Sequence, residues 1–163
     1  MRIKTKNFGD MEVDKDRILT FNRGIIGFED FKKYAVIDHK NENFPFKWLQ
    51  SLEEKDIAFV VADPFAFYPD YSPVIPNILI NYLGLKENER PGFYVIAVVP
   101  KDPVKMTVNL KAPIVFNPFN RKAEQIIVEN EDYKIKHYIF TSIANNHLEQ
   151  GNNRDMTPSA VND

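Results

Sequence analysis

Asp63 has the setting that most invites chemistry. It follows the apolar run Ile57-Ala58-Phe59-Val60-Val61-Ala62 and precedes Pro64. One reading is a partly buried carboxyl of raised pKa, poised as a general acid. The other, favoured, is an aspartate whose carboxylate accepts hydrogen bonds from the turn amides ahead. The remaining chemistry-bearing residues are dispersed. His39, His137 and His147 lie far apart, none at a metal-ligand spacing, and read as surface histidines. Ser51, Ser72, Ser142 and Ser159 lack a G-x-S-x-G elbow. With no cysteine there is no thiolate, disulfide or iron–sulfur ligand, and the 6 glycines form neither a P-loop nor a G-x-G-x-x-G turn. No catalytic residue, cofactor or metal is assigned.

Two apolar loops stand out instead. Gly24-Ile25-Ile26-Gly27-Phe28-Glu29 sets two isoleucines between glycines with a phenylalanine after them, and Pro64-Phe65-Ala66-Phe67-Tyr68-Pro69-Asp70-Tyr71 sets four aromatics around two prolines. Apolar residues presented at turns mark protein contact sites. For the second loop an equal alternative is a plug folded over an open barrel end, and the two roles are compatible.

The elements around these loops read as short strands. Thirteen Phe, 7 Tyr and 11 Pro in 163 residues favour pleated, half-buried segments broken by turns. Strands are expected over Met11–Val13, Ile18–Phe21, Tyr34–Asp38, Phe46–Leu52, Ile57–Ala62, Phe93–Val99, Val104–Leu110, Ile126–Glu129 and Lys136–Phe140. The runs from Ile57 and from Phe93 are apolar throughout, which predicts central strands covered on both faces. Met106, Val108 and Leu110 alternate with Thr107, Asn109 and Lys111, which predicts one wet face. A helix is expected from Pro76 to Leu83, ended by Gly84, with Ile78, Leu79, Tyr82 and Leu83 on one face. A shorter helical turn is expected at Glu29 to Lys33. The fold class is mainly β: a small antiparallel β-barrel-like domain with one or two short helices. Residues 1–143 form that domain. Residues 144–163 are expected to be a disordered tail, since from Thr141 onward there are three acids, one base (Arg154) and little apolar surface.

Charge narrows the function. Lys plus Arg total 21, Asp plus Glu 23, and the net charge is -2. The basic residues make short clusters interleaved with acids, without the electrostatic funnel that phosphate binding requires. A single-stranded nucleic-acid-binding barrel stacking bases on Phe and Tyr is therefore the runner-up. No apolar run approaches the roughly 20 residues that span a bilayer, and the N-terminus lacks a signal-peptide core, so a cytoplasmic protein without membrane contact is expected.

Five blocks, in order, carry a family resemblance. They are Phe21-x-x-Gly24-Ile25-Ile26-Gly27-Phe28-Glu29, Phe46-x-Trp48-Leu49-Gln50-Ser51, Phe59-Val60-Val61-Ala62-Asp63-Pro64, Thr107 through Asn117 (Thr-Val-Asn-Leu-Lys-Ala-Pro-Ile-Val-Phe-Asn), and Gln125-Ile126-Ile127. Together they resemble the flagellar assembly factor FliW family over Met1 to about Phe140. The resemblance implies a non-enzymatic protein that binds flagellin and the translational repressor CsrA. It would weaken RNA binding by CsrA allosterically, without contacting nucleic acid. It offers candidate contacts: Ile26 and Phe28 as apolar anchors with Glu29 at the rim, shaped by Gly24 and Gly27, and Asn109, Pro113 and Asn117 as a second surface. Asp63 and Asp70, with Glu29 and Asp30, would repel RNA phosphates if clustered. Phe65 belongs to the open role of its loop, and Trp48 is expected in the core.

Overall fold

The computed structural model describes residues 1–41 and 43–140. The tail expected over 144–163, and His147 within it, fall outside the described residues. Among the described residues eleven strands form, in chain order: β1 (Arg2–Thr5), β2 (Gly9–Glu12), β3 (Ile18–Phe21), β4 (Lys33–Asp38), β5 (Phe46–Ser51), β6 (Ala58–Ala62), β7 (Gly92–Val98), β8 (Thr107–Val108), β9 (Ile114–Phe116), β10 (Lys122–Gln125) and β11 (His137–Tyr138). The α-helix α1 (Asn77–Leu83) joins β6 to β7.

β1 and β2 make a separate hairpin, while β3 through β7 form an antiparallel meander. β10 pairs with β3 in parallel and with β9 antiparallel, and β9 pairs with the start of β7. The ring β7-β6-β5-β4-β3-β10-β9 therefore closes on itself, which removes the exposed edges of an open sheet. The end of β7 turns away to pair with β8, and β8 with β11.

Alternation sorts the side chains. Leu19, Phe21, Tyr34, Val36, Leu49 and Val61 join Ile114, Phe116 and Ala123 in one buried cluster that also takes in Phe59, Tyr94 and Ile96, so every barrel strand contributes inward. Their neighbours point outward. Phe46, Ala62, Val95, Ala97 and Val108 form an outer cluster covered by Phe67, Tyr71 and Tyr133. α1 covers another part of the outer face, where Leu79 and Leu83 meet Val115 of β9.

The helix ends as expected, at Gly84 with φ 70°. Its buried face differs: Leu79 and Leu83 are inside, but Ile78 is 79% exposed. Glu29 to Asp30 is a hydrogen-bonded turn rather than helix, because Lys33 is already drawn into β4. The strand expected over Val104–Leu110 shrinks to two residues after a 3-10 turn at Pro103–Lys105. It has no wet face, since Thr107 is buried between β7 and β11. Ile126–Glu129 is not a strand; the pairing falls on Lys122–Gln125 instead. β6 and β7 are central, yet Ala58, Phe59 and Val60 stay half-buried, because this end of the barrel is open. Trp48 is half-buried rather than in the core, edge-on to Phe8 and stacked with His39. His39 and His137 are likewise half-buried rather than at the surface, and burial, then Lys134, lowers the His137 pKa.

Candidate functional site: an apolar groove at the barrel mouth

The open end of the barrel forms a groove of about 380 Å³. Phe59, Ile96 and Val98 line it from the inward faces of β6 and β7, and Ile25 and Ile26 from the loop after β3. Ala112, Ile127 and Ile135 close the far side. The groove is wet-faced but apolar: Ile26 is 52% exposed, Val98 61%, Ile127 66% and Ile135 64%. Four large aliphatic side chains left in water around one concavity are what a protein contact surface requires.

The loop that supplies Ile26 is tied down by β10. The Arg23 backbone N–H and Nε donate to the buried Glu124 carboxylate at 3.0 and 3.1 Å. The Ile26 N–H donates to Gln125 Oε1 at 2.8 Å, and Gln125 Nε2 donates to the Ala112 carbonyl. Gly24 and Gly27 adopt φ of 79° and 89°, the left-handed region that glycine occupies without strain. The Phe28 ring packs edge-on against Phe59 at 5.0 Å. The Gly27 N–H donates to the Glu29 carboxylate, and this bond, then the Glu29 amide, holds the carboxyl below its ordinary pKa, so it stays charged at the rim.

Of the sequence candidates, the groove collects Ile26 and Asn109, with Phe28 and Glu29 beside it. Asn109 serves the backbone, its Oδ1 accepting the Lys111 and Ala112 N–H groups. Asp63 and Asp70 lie elsewhere, on the loop that leaves the opposite end of β6, so the four acids Glu29, Asp30, Asp63 and Asp70 are not one cluster. Asp63 is exposed and accepts the Phe65 N–H at 3.0 Å, so its role is the turn and not a buried acid. Its loop folds back, but against the outer face of β6 and β7 rather than over the barrel end: Phe67 and Tyr71 are buried, and Tyr71 Oη donates to the Leu110 carbonyl. Phe65 remains 43% exposed.

Pro113 and Asn117 are buried and cannot be contacts. Asn117 Nδ2 donates to the Leu83 carbonyl at the end of α1, and its Oδ1 accepts the Phe119 and Asn120 N–H groups. Replacing Asn117 by Ala orphans the Phe119 and Asn120 N–H groups, while the Leu83 carbonyl keeps its bond from Asn120 Nδ2, and should cost about 1–2 kcal/mol in a urea titration, with binding by the folded fraction unchanged.

Gln125, Val98, Ile127 and Ile135 are among the groove residues that the sequence does not single out as contacts. A usable signal was present for one: three successive apolar residues, Ile126-Ile127-Val128, cannot all face inward from an extended segment.

A family model described as FliW protein matches residues 2–139. The chain belongs to the FliW family. It is 45% identical to the flagellar assembly factor FliW of Thermoanaerobacter pseudethanolicus over 145 residues, covering 89% of this chain and 97% of that one. The corresponding factor of Leptospira interrogans is 41% identical, covering 88% and 96%. A crystal structure of the flagellar assembly factor FliW superposes with a TM-score of 0.77 at 32% identity, covering 85% of this chain and 96% of that one. The mainly β barrel is therefore the family's fold. Among the described residues no helix is long and apolar enough to cross a membrane, and no three His, Asp or Glu side chains are grouped to hold a metal.

Proposed function

We propose that this chain is a cytoplasmic flagellar assembly factor that acts by binding alone, taking flagellin and CsrA as its partners and making or breaking no bond. One observation carries the reading: a preformed apolar groove whose wall, the Gly24–Glu29 loop, is hydrogen-bonded to β10 before any partner arrives. A prepaid loop conformation lowers the ordering cost of association. The relatives' shared name, flagellar assembly factor, supports the pathway. Regulation follows from linkage. CsrA held by this protein binds RNA more weakly, and RNA weakens the hold in turn by the same factor. Flagellin in excess keeps the factor occupied and leaves CsrA free on its RNA.

The test is binding of purified flagellin and CsrA to the parent and to the double variant Ile26→Asp/Val98→Asp. Both positions are more than half exposed, so the fold should tolerate the charges. Two central anchors at roughly 2 kcal/mol each predict a loss approaching ~1,000-fold for at least one partner. Unchanged affinities for both would remove the groove from the reading. Adding flagellin to the preformed CsrA complex then shows whether the two exclude each other.

A single-stranded nucleic-acid surface draws on one observation, the string of rings Phe8, Trp48, His39 and Phe44. Against it, the nearby cations Arg17 and Lys47 both pair with Asp38. A tight, salt-sensitive signal with a fluorescent oligonucleotide at low salt would favour it.

A further inference from the structure

We propose that the groove's resident occupant, when no partner is bound, is this chain's own segment 141–163. The inference rests on the groove being the partner site only for its regulatory consequence; the occupancy itself does not depend on that.

Three observations point to the segment. The first is attachment. Ile135 and Lys136 line the groove immediately before β11, and the described chain ends two residues after that strand, at Phe140. Twenty-three residues follow. At roughly 3.3 Å per extended residue, fewer than ten of them reach across any groove of this size. The second is charge. Among the described residues, Lys111 and Lys136 are the only charged ones lining the groove, both cationic, whereas the segment carries Glu149, Asp155 and Asp163 against Arg154. The third is composition. The segment offers Ile143, Leu148 and Met156, too few to build a core of their own but suited to cover four exposed aliphatic side chains. The family match ends at residue 139, so this occupant belongs to the present chain and not to the shared barrel.

Tethering makes weak contacts sufficient. A segment anchored beside its site faces it at an effective concentration of order millimolar, so even a weak intrinsic affinity keeps the groove substantially covered. A partner must displace it, and the partner's apparent affinity falls by the fraction of time the groove is free.

The chain has no cysteine, so Asn152→Cys gives a single attachment point for a nitroxide between Glu149 and Asp155 in the full-length protein. Paramagnetic broadening is read on isoleucine methyls, with Ile26 and Ile127 in the groove and Ile3 under the β1–β2 hairpin as the distant control. The expected result is broadening at Ile26 and Ile127 that drops about twofold or more when Glu149→Lys/Asp155→Lys is added, or when Val98→Asp is placed in the groove, while Ile3 stays sharp. Equal broadening in parent and variants overturns the inference. So does broadening that appears only when labelled and unlabelled chains are mixed and grows with concentration, which assigns the groove to a second copy. The charge-reversed tail should also raise affinity for flagellin or CsrA by about 3- to 10-fold. The two readings fail separately. Tail broadening in the protein with the unaltered groove, together with unaltered partner binding in Ile26→Asp/Val98→Asp, removes the groove as partner site and leaves the tail contact standing. No tail broadening with the unaltered groove, together with lost partner binding in Ile26→Asp/Val98→Asp, does the reverse.

Discussion

Replacing Gly24 by alanine lowers the melting temperature by about 10 °C, while the same change at Gly27 lowers it by only about 3 °C. The two glycines share a backbone conformation, φ 79° and 89°, and sit three residues apart in one loop. An L-residue in that region costs roughly 1–2 kcal/mol at either site. Their surroundings differ. A Cβ on Gly27 meets nothing within 4 Å, whereas one on Gly24 stands 3.0 Å from the Glu29 Cα, the Glu29 carbonyl oxygen and the Phe31 carbonyl oxygen. All three are backbone atoms, so no side chain can rotate away. Relieving the contact means spreading the loop, which adds about 1–3 kcal/mol by the usual cost of overpacking. Thermal melts of the two single variants check this, and equal shifts would show that close approach is not what Gly24 provides. The same distortion moves Ile26, so the folded Gly24→Ala protein should also bind partners more weakly, while Gly27→Ala should bind nearly as the parent does.

That contrast shows what local sequence can and cannot reveal. A glycine-flanked Ile-Ile and a following Phe announce an exposed loop, and Ile26, Phe28, Gly24 and Gly27 were legible on that basis. The difference between the glycines was not, since it depends on Glu29 and Phe31 folding back over Gly24. The strands Ile18–Phe21, Lys33–Asp38 and Phe46–Ser51 were readable within a residue because β-branched and aromatic runs are bounded by turns. β10 was hidden. Lys122-Ala123-Glu124-Gln125 looks polar, and its buried Glu124 makes sense only once Arg23, 101 positions away, is its partner. β9 is three residues between Pro113 and Pro118, too short to show a period. The groove suffered most, since Val98, Ile127 and Ile135 converge on Ile26 only when the barrel closes. Ile78 was placed inside on spacing alone. Of the expected face, the helix buries Leu79 and Leu83, because Val115 faces those two, and leaves Ile78 out.

Closure itself rests on a second glycine, and Gly92→Ala is expected to cost about 3 kcal/mol. Gly92 lies opposite Phe116 in the β7–β9 pairing that completes the ring of strands. A Cβ there would run into Phe116 Cζ and stand 2.5 Å from Cε2 and 2.8 Å from Cε1, so the ring lies directly over the glycine. The clash is with a side chain, which ordinarily yields, but this one is held. Phe116 is 8% exposed and stacks on Tyr94 at 4.7 Å, with the Arg121 guanidinium 5.9 Å from its centroid. Either the ring leaves its stack or β7 and β9 part, and both outcomes weaken the barrel seam. A double-mutant cycle separates the clash from other causes. Phe116→Leu alone should cost about 1–2 kcal/mol through lost contacts. Combined with Gly92→Ala it should cost at least ~1 kcal/mol less than the sum, because the smaller side chain leaves room for the methyl. Urea titrations of the four proteins read the coupling directly. Strict additivity would mean that the ring does not oppose the methyl.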